Sequence, residues 1–198
     1  MPQDVFVREP DRSAARPAED VLIRPCSPDD IPAIQAIYAE AVLTGTASFE
    51  LAAPTLEEMR LRREKLLAAG FPYIVAVEPG AAADSSGALL GYAYAGPYRP
   101  RPAYRFTVEN SIYVAPGAQG RGVGSRLMAE LIAICAEMGA RQMIAVIGDS
   151  GNEASIRLHS RCGFEPAGVL KSVGYKHGRW LDSVLMQRPL GVGDAAEP

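Results

Sequence analysis

The sequence predicts an α/β fold, a central and mostly antiparallel mixed sheet of about seven strands with about four helices on its two faces. Two periodicities succeed one another along the chain: period-two runs such as "FTVENSIYVA" and helical stripes such as "IPAIQAIYAEAV". Between them fall stretches rich in glycine and proline, which bound the elements. At 198 residues, with 48% hydrophobic and 22% charged residues, the chain can fill the core of one domain.

Folded structure is expected from residue 21, where "VLIRPCS" alternates Val21 and Ile23 with their neighbours. Residues 1–20 are rich in Pro, Arg, Asp and Glu and lack the apolar stretch of a signal peptide, so they read as a disordered leader. Ser27 or Asp29 caps a helix whose Ile31, Ile34, Ile37, Tyr38 and Ala41 form an apolar stripe. "TGTASFE" is a loop, and "TLEEMRLRREKLLAAG" is a charged amphipathic helix stopped by Gly70. Strands follow at "YIVAVE" and "ALLGYAYAG", divided by the small-residue turn "PGAAADSSG".

"PYRPRPAYR" is a loop, because its prolines cannot donate to a sheet ladder. In "FTVENSIYVA", Phe106, Val108, Ile112 and Val114 share one face, and Thr107, Glu109, Ser111 and Tyr113 the other. A helix "GSRLMAELIAICAEMGA", a strand "QMIAVIG", a helix "NEASIRLHSRCG" and strands "FEPAGVLKSVGYKHG" and "RWLDSVLMQRPL" complete the domain at residue 190. Residues 191–198 read as a disordered tail.

Composition excludes several classes. A net charge of −3 argues against a nucleic-acid binder. No apolar run is long enough to cross a bilayer, so no membrane partner is expected. The three cysteines, Cys26, Cys135 and Cys162, share no C-x-x-C spacing and read as reduced thiols of a cytoplasmic chain. Two histidines set far apart give no metal site.

The stretch "VAPGAQGRGVGSRL" joins a strand to a helix through alternating glycines. Bare amides at a helix N-terminus attract anions, and glycines let a phosphate reach the backbone. Arg121 and Arg126 add charge beside it, whereas a simple tight turn explains one glycine and not three. A Walker loop needs a Gly-Lys-Ser/Thr that is missing. A dinucleotide turn needs a third glycine where Ser125 stands and a ribose acid closer than Asp149.

Gln119-Gly120-Arg121-Gly122-Val123-Gly124 resembles the Q/R-x-x-G-x-G/A signature of the GNAT N-acetyltransferases, and "NEASIRLHSRCGFEPAG" is similar to that family's following segment. The resemblance spans residues 21–190 and implies the GNAT fold, with the sheet splayed near its fourth and fifth strands. "GYAYAGPYRPRPAYRFTVENSIYV" and "GYKHGRWLDSVLMQ" further resemble the phosphinothricin and methionine sulfoximine acetyltransferases. Those enzymes acetylate the α-amino group of small amino-acid analogues with acetyl-CoA and are usually homodimers. The resemblance places coenzyme A contacts at Ile112, Tyr113 and Val114. It places pyrophosphate contacts at Gly120, Arg121, Gly122, Val123, Gly124 and Ser125, and a pantetheine-side contact at Asn152.

Acetyl transfer to an amine needs a base, and Glu109 is the candidate. It is the one acid between Asp84 and Glu130 and sits inside an apolar strand. A glutamate facing water from an edge strand is the alternative; the family match at "TVENS" favours the base. For the leaving thiolate, His159 is either a proton donor or a packed helix residue with a satisfied ring, Tyr113 is the alternative donor or a substrate contact, and departure of the thiolate without an acid is the third reading. Arg99, Arg101 and Arg105, with Tyr98 and Tyr104, form either a solvated basic loop or a grip for a carboxylate. By resemblance Arg101 and Tyr104 contact substrate and Phe49 lines its pocket. The chain departs from relatives around Arg99 and Met128, and the matching Lys176, His177 and Trp180 fit packing or dimer contact as well as chemistry.

Three functions follow from these residues. The leading one is an acetyl-CoA-dependent N-acetyltransferase acting on a small amino acid or toxic analogue. The second is acetylation of a protein N-terminus or another amine on the same fold. The third is a non-catalytic acetyl-CoA sensor, which would have no use for a base at Glu109.

Overall fold

A computed structural model describes residues 21–78 and 89–197. The expected leader and the "PGAAADSSG" turn lie outside the described residues. The elements run β1 (Leu22–Pro25), α1 (Ile31–Thr44), α2 (Leu56–Ala68), β2 (Tyr73–Val77), β3 (Leu89–Pro97), β4 (Thr107–Val114), α3 (Val123–Glu137), β5 (Gln142–Gly148), α4 (Glu153–Arg161), β6 (Glu165–Lys176) and β7 (Arg179–Pro189). The strands form one seven-stranded sheet in the order β1-β2-β3-β4-β5-β7-β6. Every pairing is antiparallel except β4 with β5. This is the GNAT arrangement that the sequence resembles.

Alternation along the strands sorts the core into two layers. Ile74, Ala76, Ala93, Ala95 and Val108 face α3, whose Val123, Leu127, Leu131 and Cys135 are buried against them. Tyr73, Val75, Val77 and Tyr92 face α1 and α2, where Ile31, Ile34, Tyr38, Val42 and Met59 close the second layer. Thr55 caps α2 by accepting the Glu58 N–H at 3.2 Å. Of the two expected caps, Ser27 heads the helical segment, as the N-cap of a 3-10 turn whose capping box it shares with Asp30, while Asp29 lies inside that turn. A 3-10 turn at Pro28–Asp30 precedes the helix, and the Asp30 carboxylate accepts the Ser27 N–H and two Arg24 N–H groups, each at 2.7 Å.

The β6–β7 hairpin turns on His177 and Gly178, both at positive φ (50° and 76°), between the paired Lys176 and Arg179. That two-residue geometry matches the twist of the strands. Residues 191–197, beyond Leu190, form turns, with Arg141 donating to the Glu197 carbonyl at 3.2 Å.

The parallel β4–β5 ladder positions the site. It couples Thr107, Val108, Glu109 and Asn110 to Gln142, Met143, Ile144 and Ala145, and then stops. From Ser111 on, β4 stays bonded to β3, while Val146, Ile147 and Gly148 of β5 stay bonded to β7. The sheet therefore opens into a wedge whose apex is the Asn110–Ala145 pair.

Candidate active site

The wedge holds a cavity of about 310 Å³. Its walls are β4 from Glu109 to Tyr113, the end of β5, the α4 residues Ser155 and His159 with the preceding Asn152, and Phe49 from the α1–α2 loop. Tyr38 and Tyr94 close it on the side of α1. It thus reaches both faces of the sheet. Glu109, Ser111 and Tyr113 project toward the tyrosine layer, while Asn110 and Ile112 project toward α3 and α4.

Glu109 is half-buried on the first face. Burial raises its pKa and the nearby Arg99 guanidinium lowers it, with a net shift above the ordinary carboxylate value. Tyr113 stacks on Tyr92 with ring centres 5.3 Å apart and meets the edge of Tyr38 at 5.0 Å. Burial holds the Tyr113, Tyr94 and Tyr38 hydroxyls above the usual tyrosine pKa, so all three keep their protons near neutrality.

On the other face His159 is 2% exposed. Its Nδ1 lies 2.8 Å from the Ser155 carbonyl and its Nε2 lies 3.0 Å from Asn110 Nδ2. Phe164 meets the ring edge-on at 5.0 Å. Burial lowers the His159 pKa, which keeps the imidazole neutral at physiological pH. Both ring nitrogens are therefore occupied.

The α1–α2 loop is pinned from several sides. Tyr38 Oη donates to Glu50 Oε1 at 2.9 Å and lies 3.0 Å from Ser48 Oγ, and Arg62 donates to the same Glu50 oxygen at 2.7 Å. The buried Lys176 ammonium donates to the Ser48 carbonyl at 2.7 Å, and Thr46 donates to Asp149 at 3.1 Å. His177 Nε2 lies 3.2 Å from the Gly45 carbonyl. Phe49 rests on backbone that has no side chain: a Cβ at Gly174 would stand 2.6 Å from its Cδ2, and one at Gly148 would stand 2.9 Å from its Cε1. Only glycine at both positions leaves room for that ring.

Beside the wedge, α3 begins without a side-chain cap, behind Gly120 (φ 75°) and Gly122 (φ 80°). Its first-turn amides have no acceptor within the helix. At Gly124 a Cβ would meet Leu158 Cδ2 at 3.2 Å and Val114 Cγ2 at 3.6 Å, so the bare residue lets α3 close on α4 and β4. The Arg121 guanidinium bonds Glu78 at 2.7 Å, so that charge is already balanced by a carboxylate at the end of β2.

The Acetyltransferase (GNAT) family profile matches residues 35–164. The chain belongs to this family. It is 58% identical over 176 residues to the phosphinothricin N-acetyltransferase of Alcaligenes faecalis, covering 89% of this chain and 86% of that one. It is 40% identical over 165 residues to an L-methionine sulfoximine/L-methionine sulfone acetyltransferase of Pseudomonas aeruginosa, covering 83% and 92% respectively. The crystal structure of a GNAT-superfamily phosphinothricin acetyltransferase from Sinorhizobium meliloti in complex with acetyl-CoA superposes with a TM-score of 0.83 at 46% identity, covering 90% of this chain and 93% of that one.

Of the residues picked from sequence, Phe49, Glu109, Ile112, Tyr113, Asn152 and His159 meet at the cavity. Gly120, Arg121, Gly122, Val123, Gly124 and Ser125 stand outside its walls at the head of α3, and Val114 packs beside them. Arg101 and Tyr104 lie on the exposed 3-10 turn at Pro102–Tyr104, away from the cavity walls, and Arg99 reaches the site through its charge on Glu109. Sequence reasoning missed Tyr38, Tyr94 and Asn110. The tyrosines read as core, although a buried tyrosine hydroxyl calls for a partner. Asn110 breaks the apolar face Phe106–Val108–Ile112–Val114, a signal visible in the sequence.

Gly174→Ala is expected to displace the Phe49 ring and cost about 1–3 kcal/mol of stability. Urea unfolding reads the loss, and hydrogen exchange should rise at residues 45–50. An unchanged midpoint and unchanged exchange would show that the loop does not depend on this contact.

Proposed function

We propose that this chain transfers the acetyl group of acetyl-CoA to the α-amino group of a small amino acid or toxic analogue of the phosphinothricin, methionine sulfoximine or methionine sulfone type. The observation that carries the reading is a half-buried carboxylate, Glu109, beside the apex of a wedge that opens toward the uncapped start of α3. The names of its relatives point the same way.

The residues present suit the cosubstrate. Acetyl-CoA, when bound, supplies a thioester-activated acyl group. The first-turn amides of α3 and the turn Gly120–Ser125 offer donors to its phosphates, and Ile112 and Val114, on either side of Tyr113, offer backbone groups that β5 has left unpaired. Asn152, whose Oδ1 caps α4 by accepting the Ser155 N–H at 3.2 Å, stands on the wall next to them.

Glu109 takes a proton from the acceptor's ammonium, directly or through a water, and its raised pKa narrows the gap to that group. The amine nitrogen then bonds to the acyl carbon as the carbon–sulfur bond breaks. Tyr113 is the candidate donor to the departing thiolate, since its hydroxyl keeps a proton, while His159 Nε2 is engaged with Asn110 Nδ2 at 3.0 Å. Arg99, whose charge acts on Glu109, suits the acceptor's carboxylate, and Phe49 bounds its side chain, while Arg101 and Tyr104 belong to the same loop outside the cavity walls. The β6–β7 hairpin leaves Leu170, Val173, Tyr175 and Trp180 at least half exposed, an apolar surface suited to a second copy in a homodimer.

Thiol release from acetyl-CoA is the direct test, comparing phosphinothricin, methionine sulfoximine, methionine sulfone, free amino acids and peptides. Saturable turnover with the analogues and little with peptides is expected. Turnover with peptides alone would replace this acceptor, and binding of acetyl-CoA without turnover would favour a sensor. Glu109→Gln should lower kcat about 10²- to 10⁴-fold with little change in acceptor KM; near-normal kcat would remove the base. Because Arg99 pulls the Glu109 pKa down, Arg99→Ala should move the acid limb of the kcat/KM profile to higher pH. A limb that stays in place would break that electrostatic link.

A further inference from the structure

We infer that Asn110 is a positioning residue, whose side-chain amide donates to His159 Nε2, fixes the imidazole with its hydrogen on Nδ1, and locks the apex of the wedge. The inference rests on reading the wedge as the acyl-transfer site. It adds a role for a residue that the sequence did not single out and limits what His159 can do.

The hydrogens follow from the partners. Nδ1 lies 2.8 Å from the Ser155 carbonyl, which can only accept, so Nδ1 carries the hydrogen. A neutral ring then presents a lone pair at Nε2, and the group 3.0 Å away must donate. Only the NH₂ end of the amide can do so. The choice leaves Asn110 Oδ1 buried with no hydrogen-bond partner among the described residues. A buried acceptor left unpaired is costly, so the amide's orientation is set by the ring and not by its own needs.

The placement gives the pair its leverage. Asn110 is the last β4 residue paired with β5, and α4 is the next helix after β5. The hydrogen bond therefore ties β4 to the far arm of the wedge where the two strands part. Asn110 is 6% exposed and His159 2%, so water does not compete for the bond. With Nε2 acting as an acceptor, resting His159 has no hydrogen to offer at the cavity, and its contribution is to hold Asn110 and with it the start of the opening.

Nitrogen-15 NMR of the histidine rings in the ligand-free full chain, at about pH 8 where an ordinary histidine is neutral, tests this without any acceptor. His159 should show hydrogen on Nδ1 and none on Nε2. In Asn110→Leu the Nε2 signal should move as it loses its donor, and kcat should fall about tenfold or more with acceptor KM within about twofold. In Asn110→Asp, which keeps the shape, hydrogen should be found on both nitrogens, because a carboxylate can only accept.

Hydrogen on Nε2 in the wild type would overturn the inference, as would an Nε2 signal that Asn110→Leu leaves in place. Unchanged kcat beside a moved signal would overturn the positioning role. If the leucine variant does not fold, a ring in the aspartate variant identical to wild type overturns it equally. Failure of every amino acid to react with the wild-type protein would sink the proposed acceptor and leave the ring assignment standing.

Discussion

Two parallel strands that stop pairing leave backbone N–H and C=O groups without partners, and such groups are tolerated inside a protein only where something else will bond them. Here β4 and β5 share four residue pairs and then separate, each held in place by the neighbour on its far side. The gap is thus a property of the whole sheet. The long antiparallel ladders β3–β4 and β5–β7 keep the two arms stiff, and the short parallel ladder between them sets where they diverge. Glu109 sits one residue before the last pair and Tyr113 three residues beyond it, so the candidate base and the candidate donor flank the apex on a single strand face.

What closes the gap on the Phe49 side is the loop between α1 and α2. Its anchors are polar and come from three different elements: Tyr38 on α1, Arg62 on α2 and Lys176 on β6. Each would be expensive to bury alone. Together they satisfy one another through Ser48 and Glu50. Burial lowers the Lys176 pKa and the Glu50 charge raises it, with a net shift downward. A network with mutually dependent members holds Phe49 in one place, and it explains residues that the sequence left between packing and chemistry. Lys176 and His177 secure the loop, whereas Trp180, 64% exposed, stands apart from it.

The fold was legible because its signals are local. Period-two runs and helical stripes gave every strand and helix of the described residues within about three residues, and the uncapped glycine turn gave the head of α3. Ser27 was legible as a cap, but its partner Asp30 was not, because that carboxylate also bonds Arg24, a contact with the preceding strand. The site was legible where a residue broke its context, as Glu109 does in an apolar strand. It was illegible where several residues with good structural reasons converge: Tyr38 belongs to a helical stripe and Tyr94 to a strand alternation. Gly148 and Gly174 look like ordinary glycines until Phe49 is set against both. Spacing along one element cannot show a contact made by three.

On the proposed function, Arg99 links recognition to chemistry. It stacks over Tyr98 at 4.7 Å, and its charge draws the Glu109 pKa down against the upward push of burial. On the proposed reading, the acceptor brings a carboxylate to this basic loop and pairs with a guanidinium there. Pairing with Arg99 cancels the cation that had been stabilising ionised Glu109, so the upward push of burial is left less opposed. The base thereby becomes stronger as the amine it must deprotonate arrives. An acceptor without a carboxylate leaves Arg99 unneutralised and Glu109 weaker, so the same residue discriminates against simple amines through the base itself and not only through binding.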